Sequence, residues 1–434
     1  MLAIKTVKFR TLKANKGKDK ILQGLIRDYK RLVEFFLQKC FEHNVKSKAK
    51  LHRIAYEESK QIIPEKKWHS KYRYTAMEIA LSIYKSWSKL RKRGKVEKYP
   101  EIKKLFLKLY KESSGMGVYQ LIEKEGKWFA RIATLPRNYV ILPLIISDYH
   151  KRFLDAWRSG ELVLGEAYLK RNSDGSYEIH ITFKKNAENK EFKRKMGVDI
   201  NEKNVTISIL DKNEVIHAMQ IDISELSRLD YVYKMVKIRR LQKKFYMGYN
   251  PKLIPRKRAE VIKRYSRRWS ERKEHLLHVL SDYIISLATT FRAEIVMENL
   301  KGIKERILNK NRKLNRRLAL ADFRKLQQFV EYKAKWIGIP VTYINPRNTS
   351  RICPICNSPM TGNSQRMMFC RVCGTIWDRD FVASINIALR DVARGVRAEV
   401  PMNWISRRRV SANEVSIEGM ICAMKSRYSQ PILN

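Results

Sequence analysis

The chain has 434 residues, 44% of them hydrophobic, with 17 Gly and 12 Pro, which suits about three domains of roughly 150 residues each and excludes collagen-like and low-complexity chains. Its 91 Lys and Arg against 43 Asp and Glu leave a formal net charge of +48 and a pI near 10.1; such self-repulsion implies a polyanionic partner and sets aside an ordinary metabolic enzyme. No apolar stretch reaches the ~18–20 residues of a membrane span, and the N-terminus MLAIKTVKFRTLK lacks a secretory apolar region, so a soluble, cytoplasmic protein is expected rather than one with a basic membrane-binding surface.

In chain order, residues 1–12 alternate, with Val7 and Phe9 set against Lys8 and Arg10, as in a half-buried strand. Residues 18–112 read as mostly helical and basic; within them Ile79, Leu81, Ile83, Trp87 and Leu90 fall at helical spacing. Residues 119–135 return to strand character, with Trp128, Ala130 and Ile132 alternating around Phe129 and Arg131. Residues 162–185 read as two strands about the turn Ser173-Asp174-Gly175, with Tyr177, Ile179, Ile181 and Phe183 on one face. Strands that bracket helices suggest a β-barrel interrupted by a helical insertion; two unrelated small domains are the other reading.

A charged linker is expected over 184–195, and then an α/β pattern. Residues 196–200 form an apolar run, Val205, Ile207 and Ile209 alternate, Asp211-Lys212-Asn213 turns, and 215–221 gives a third strand. Residues 225–246 and 256–290 read as long helices, the second with Ile262, Tyr265, Trp269, Leu276, Leu280, Tyr283 and Leu287 on one stripe. Residues 294–298 and 341–344 read as strands, 318–337 as a helix closed by Gly338 and Pro340, and 383–393 as a last helix. The tail after Arg394 has no clear periodicity.

Three features carry chemistry. Residues 234–273 hold sixteen Lys and Arg against Glu260 and Glu271, interleaved with Phe245, Tyr246, Tyr249, Tyr265 and Trp269. Cations neutralise phosphates and aromatic rings stack on bases, so Arg256, Lys257, Arg258, Lys263, Arg264, Arg267 and Arg268 are candidate nucleic-acid contacts, none assigned to a base. Of the six cysteines, Cys353, Cys356, Cys370 and Cys373 form two CxxC pairs. That spacing suits a closed tetrahedral zinc site, structural because no coordination position stays open. Cys40 and Cys422 stand apart. Finally, Asp199 and Glu298 end apolar runs, and Asp380 precedes the last helix. Two-metal phosphodiester cleavage needs carboxylates converging on Mg²⁺ from rigid mounts. A lone acid at such a place serves as well for a turn or a helix cap.

The segments MGVDINEKNVTISIL, IVMENLKGI, NPRNTSRICPICNSPM and FCRVCGTIWDRDFVASINIALR, in this order, resemble TnpB, the RNA-guided nuclease of insertion-sequence transposons, and its relatives the miniature type V CRISPR effectors. The resemblance is specific over 196–390; over 1–185 it rests on the strand–helix–strand arrangement and charge. It implies an α+β multidomain chain: a wedge-type β-barrel (1–17 and 116–190) interrupted by a helical recognition lobe (18–115), an RNase-H-like RuvC nuclease domain (191–350 and 377–395) with an inserted zinc ribbon (351–376), and a flexible basic tail (396–434). It matches Asp199, Glu298 and Asp380 to the three RuvC carboxylates and the four cysteines to the ribbon. Asn201 stands where the family usually has Gly, and Val382 where it usually has Asn.

The resemblance implies a Mg²⁺- or Mn²⁺-dependent DNA endonuclease holding structural zinc and a guide RNA from the transposon end. It would act as a monomer on double-stranded DNA beside a short motif, with base pairing selecting the sequence. A CRISPR effector of the same fold, a nuclease-dead RNA-guided repressor and a DNA-binding accessory protein without guide RNA are the alternatives. Between Asp378 and Asp380, a helix beginning at Ala383 favours Asp380, just before the first turn; the family's spacing to Ala383, Ser384, Asn386 and Ile387 points the same way.

Overall fold

Strand β1 (Leu2–Thr11) buries Ala3, Val7, Phe9 and Thr11 on one face, as its alternation requires. The chain is described here by a computed structural model covering residues 2–102, 106–110, 117–188, 190–245, 256–300, 322–363, 366–392 and 413–416. It forms two compact units that meet in sequence at Asn186 and Ala187.

In the first unit, β1 is followed by helices α1 (Lys16–Glu42), α2 (Lys48–Ile62) and α3 (Lys71–Lys92). Then come β2 (Leu107–Leu109), β3 (Tyr119–Lys124), β4 (Lys127–Leu135), β5 (Asn138–Ile145), helix α4 (Asp148–Arg158), β6 (Val163–Arg171) and β7 (Tyr177–Asn186). The strands make an antiparallel sheet in the order β2-β6-β7-β1-β5-β4-β3. Phe9 pairs with Ile179 and Val7 with Ile181, so the inward faces of β1 and β7 coincide. Asn15 caps α1 by accepting a hydrogen bond from Lys18 N at 2.8 Å. Arg171 then grips Asp19 of α1 with Nε and Nη2, each at 2.8 Å, and Tyr177 donates to the same carboxylate at 2.7 Å. This fork ties the helices to the β6–β7 hairpin and holds the Asp19 carboxyl well below its ordinary range.

Several sequence expectations change here. Residues 119–135 make a hairpin, turned by Glu125 and Gly126, both at positive φ (52° and 72°), the backbone a two-residue hairpin turn requires. On α3 the buried face is Met77, Ala80, Leu81, Tyr84 and Trp87; Ile79 and Ile83 are half-buried and Leu90 is exposed. The small Ala76 and Ala80 bring the helix close and leave the branched residues on its shoulders. Strand β2 lies within the stretch expected to be helical, helix α4 appears where no element is expected, and β7 runs through Lys184 and Lys185 of the expected linker.

In the second unit, β8 (Arg194–Ile200), β9 (Asn204–Asp211) and β10 (Glu214–Asp222) form an antiparallel meander. A helical run follows: α5 (Ser224–Leu229), a π-helical stretch (Asp230–Ile238) and α6 (Arg239–Phe245). Then come α7 (Arg256–Thr290), β11 (Ala293–Glu298), α8 (Phe323–Ile337) and β12 (Val341–Ile344). Strands β13 (Met360–Gly362), β14 (Met367–Cys370) and β15 (Ile376–Asp378) make a small antiparallel sheet, and α9 (Arg379–Val392) follows. The larger sheet runs β12-β11-β8-β9-β10-β16. Its last member, β16 (Asn413–Ser416), pairs parallel with β10. The tail therefore contributes a strand; edge pairing needs only backbone groups, which leave no periodicity. The rest of 396–434 lies outside the described residues.

Met196, Val198, Ile207 and Ile209 face Leu277, Leu280, Ile284, Leu326 and Val330 of α7 and α8. The buried row on α7 thus turns slightly from the expected stripe, leaving Leu276 and Tyr283 half-buried. On the opposite face of β8, Gly197 lies against α9. A Cβ there would come 2.0 Å from Ser384 O and 2.8 Å from Ala388 N, so only glycine allows helix backbone to rest on strand backbone. Ser208 and Ser384 hydrogen-bond at 2.6 Å beside this contact. Among the described residues no helix is long and apolar enough to cross a membrane. Gly197→Ala is expected to cost about 3 kcal/mol by forcing this packing apart, or to prevent folding; an unchanged midpoint in chemical denaturation would contradict the account.

Candidate functional site

Parallel strands β8 and β11 place Met297 beside Val198, so Asp199 and Glu298 leave the sheet at the same edge. Helix α9 brings Asp380 to them. All three line one cleft of about 730 Å³ together with Asn201, Asn204, Thr349, Arg366 and Arg379. The structure therefore gathers the three acids expected from sequence.

The last helix begins at Arg379, earlier than expected. Asp378 accepts a hydrogen bond from Asp380 N at 2.7 Å and so serves the helix start, while Asp380 sits in the first turn. The capping role lies with Asp378, and Asp380 is carried into the cleft by the helix itself. The earlier start follows from Trp377 and Phe381, both buried with Val382 and Ile385 in the apolar cluster beneath the small sheet. Val382, one of the departures from the family pattern, is part of that cluster.

Each carboxylate has its own partners. Asn201 Nδ2 donates to Asp199 Oδ2 at 2.7 Å and reaches Asn204 Oδ1 at 3.1 Å. Asn204 Nδ2 donates to Asp380 Oδ2 at 3.0 Å. Arg366, from the turn before β14, pairs with Asp380 Oδ1. Thr349 Oγ1 donates to Glu298 Oε1 at 2.6 Å, and Gln327 Nε2 donates to the Glu298 carbonyl at 2.7 Å. Asn201, the other departure, thus bridges toward Asp380 through Asn204.

Burial, followed by the charges of Glu298 and Asp380, pushes Asp199 up to about 8. Burial also raises Glu298. Among the described residues no cation pairs with Asp199 within 4.0 Å. A buried set of oxygen donors with excess negative charge suits a hard divalent cation such as Mg²⁺ or Mn²⁺.

Beside the cleft, Cys353, Cys356, Cys370 and Cys373 have all four sulfurs within 4.8 Å of one another. Cys353 and Cys373 sulfurs are 3.6 Å apart, and those of Cys356 and Cys370 3.3 Å. In both knuckles the residue after the second or fourth cysteine takes positive φ, Asn357 at 61° and Gly374 at 70°. Their amides bond back to Cys353 O and Cys370 O, each at 2.9 Å. The fourfold thiol geometry suits zinc. Among the described residues this is the one group of three or more such donors that close together; the carboxylates are more widely spread.

The basic stretch divides. Lys263, Arg264, Arg267 and Arg268 are exposed on α7, with Arg267 3.5 Å from Glu271. The side chains of Arg256, Lys257 and Arg258, and of Phe245, Tyr246 and Tyr249, lie outside the described residues. Lys273 is buried, 2.8 Å from Asp230 and 3.3 Å from Asp322, and Trp269 Nε1 donates to Asp230 at 2.9 Å. These two serve internal packing. Sequence reasoning missed Asn204, Arg366 and Thr349 in the cleft; Thr349 and Asn204 stand inside quoted motifs, whereas Arg366 comes from a turn without any signature.

Residues 323–387 match the family model described as Cas12f1-like, TNB domain, and residues 25–113 match that of the uncharacterized protein MJ0013 family. The chain is 38% identical over 258 residues to TnpB-like protein MJ0751 of Methanocaldococcus jannaschii, spanning 59% of this chain and 88% of that protein. It is 29% identical over 293 residues to the CRISPR-associated endodeoxyribonuclease Cas12f2 of a Micrarchaeota archaeon, spanning 61% of this chain and 45% of that one. Its fold resembles a cryo-EM structure of a Cas12f1-sgRNA-target DNA complex, with TM-score 0.60 and 14% identity over 89% of this chain and 99% of the other.

The raised Asp199 has a pH consequence. An unfolded aspartate ionises near pH 4 (about 3.9), the folded one near 8. Between these values folding takes up a proton, so this group lowers stability progressively as pH rises. Without divalent cation, Asp199→Asn is expected to raise Tm by several degrees at pH 8, with the gain vanishing toward pH 4. A difference independent of pH would contradict the shift.

Proposed function

The chain belongs to the TnpB-like family, and from that membership we propose that it is an RNA-guided DNA endonuclease that cuts target DNA beside a short adjacent motif. The observation that carries this reading is the convergence of Asp199, Glu298 and Asp380 in one cleft. The order of the larger sheet, a meander extended by parallel strands, supports reading 191–395 as a RuvC-type nuclease with the ribbon at 351–376. The first unit is read as the wedge barrel and helical lobe.

In this mechanism Asp199, Glu298 and Asp380 would hold the catalytic cations. Bound Mg²⁺ would supply an activated water and neutralise charge on the scissile phosphate. The chain's own residues set the geometry. The Asn201 and Asn204 amides orient Asp199 and Asp380. Thr349 directs Glu298. Arg366 supplies a positive charge beside Asp380, where a phosphate oxygen would approach. Cys353, Cys356, Cys370 and Cys373 would hold zinc and fix the small sheet under Arg366. Exposed Lys263, Arg264, Arg267 and Arg268 offer phosphate contacts to guide RNA or DNA. The solved complex of similar fold contains sgRNA and target DNA, and we extend both partners to this chain. A CRISPR-associated effector of the same fold is the second reading, favoured by the similarity to Cas12f2.

Glu298→Gln keeps side-chain shape while removing one metal-binding charge. With guide RNA and Mg²⁺, cleavage should fall at least about a hundredfold, while RNA-guided target binding measured by gel shift persists. Near-normal cutting would refute the assignment.

A further inference from the structure

Thr349 and Asn386 lie between the carboxylate cleft and the cysteine knuckles, and both are buried, at 3% and 6% exposure. Thr349 Oγ1 is 2.6 Å from Glu298 Oε1 and 3.1 Å from Pro346 O. A hydroxyl has one proton, and the shorter contact, to the carboxylate, takes the larger share of it. Among the described residues Glu298 Oε2 has no hydrogen bond, so Thr349 fixes one oxygen and leaves the other without a hydrogen-bond donor. Gln327 holds the Glu298 backbone from α8.

Thr349 is itself held from α9. Asn386 Nδ2 has two N–H groups, and both are used: one donates to Thr349 O and the other to Ile352 O, each at 2.7 Å. Ile352 immediately precedes Cys353 and bridges to Pro359 across the first knuckle. One helical turn further on, Arg390 Nη1 reaches Asn345 O at 3.2 Å and Arg347 O at 2.5 Å. A single row of α9 therefore grips the 345–352 loop along its length, and that loop ends at the knuckle on one side and at Glu298 on the other.

We propose that Asn386 and Thr349 are positioning residues that set the Glu298 carboxylate from the knuckle side, so that cation affinity in the cleft depends on the anchorage of the four-cysteine ribbon. The proposal rests on the reading of Glu298 as a metal ligand. Partners that orient a metal-binding group typically matter by about 10–100-fold in affinity.

The test uses the full-length, zinc-loaded chain, titrated with Mn²⁺ and followed by electron paramagnetic resonance. Glu298→Gln marks the signal that belongs to the cleft. Thr349→Val keeps the side-chain shape but removes the proton, and should weaken Mn²⁺ binding about tenfold with zinc content and Tm unchanged. Thr349→Ser, which keeps the hydroxyl, should bind nearly as wild type. Asn386→Asp, which has no proton to give, should weaken binding similarly, and its combination with Thr349→Val should fall no further than the weaker single variant. Unchanged Mn²⁺ affinity in Thr349→Val, equal losses in the Val and Ser variants, or additive losses in the double variant would overturn the relay while leaving the Glu298 assignment intact. Mn²⁺ binding that survives Glu298→Gln would overturn that assignment, and the relay with it.

Discussion

Helix α9 rests on strand β8 with main chain against main chain at Gly197, where a methyl group would come within 2.0 Å of Ser384 O. That approach carries Asp380 toward Asp199, two residues beyond the glycine on the same face of the strand. The helix is buried almost all round: Phe381, Val382 and Ile385 pack under the small sheet, and Ile387 packs against Val296 and Ile344 of β11 and β12. One element thus sets the distance between cleft and knuckles. Apolar packing on several sides makes such an element hard to shift without cost.

The electrostatic arrangement runs against the charge of the whole chain. A protein of net charge +48 gathers three acids at one edge of its larger sheet. Asp199 is pushed up by burial and by its two acidic neighbours, and Arg366 beside Asp380 offsets only part of that cluster. Such a cluster suits a divalent cation, which agrees with the proposed reading of the cleft. Elsewhere burial consumes cations: Lys273 is enclosed by Asp230 and Asp322, while Lys263, Arg264 and Arg268 stay in solvent and remain available to phosphates.

Alternating strands and paired motifs were legible because their side chains announce their environment. Val7 and Phe9, and Tyr177 through Phe183, are buried as their period of two requires, whereas β9 is buried on both faces, with Thr206 and Ser208 enclosed as fully as Val205, Ile207 and Ile209. The cysteine spacing likewise predicts the fourfold thiol cluster. Features decided by backbone were harder to read. The Glu125–Gly126 turn lacks the usual Asn-Gly or Asp-Gly signal, and β16 joins the sheet through peptide groups alone. The start of α9 at Arg379 followed from the burial of Trp377 and Phe381, which local sequence does not display. In the cleft the acids stood out against a basic chain, but their hydrogen-bond partners did not. Asn204, Thr349 and Arg366 are ordinary surface-type residues until the fold brings them to a carboxylate. Lys273 was indistinguishable from its exposed neighbours for the same reason: its role depends on Asp322, forty-nine positions away in sequence.

The proposed nuclease activity requires that Asp199, Glu298 and Asp380 together hold divalent cations. Anomalous diffraction from crystals of the full-length protein soaked in Mn²⁺ tests it most directly. Anomalous density is expected in the cleft within coordination distance, about 2.0–2.3 Å, of oxygens from all three side chains, separate from any zinc held by the cysteines. Well-ordered crystals with Mn²⁺ bound elsewhere and this cleft empty would contradict it.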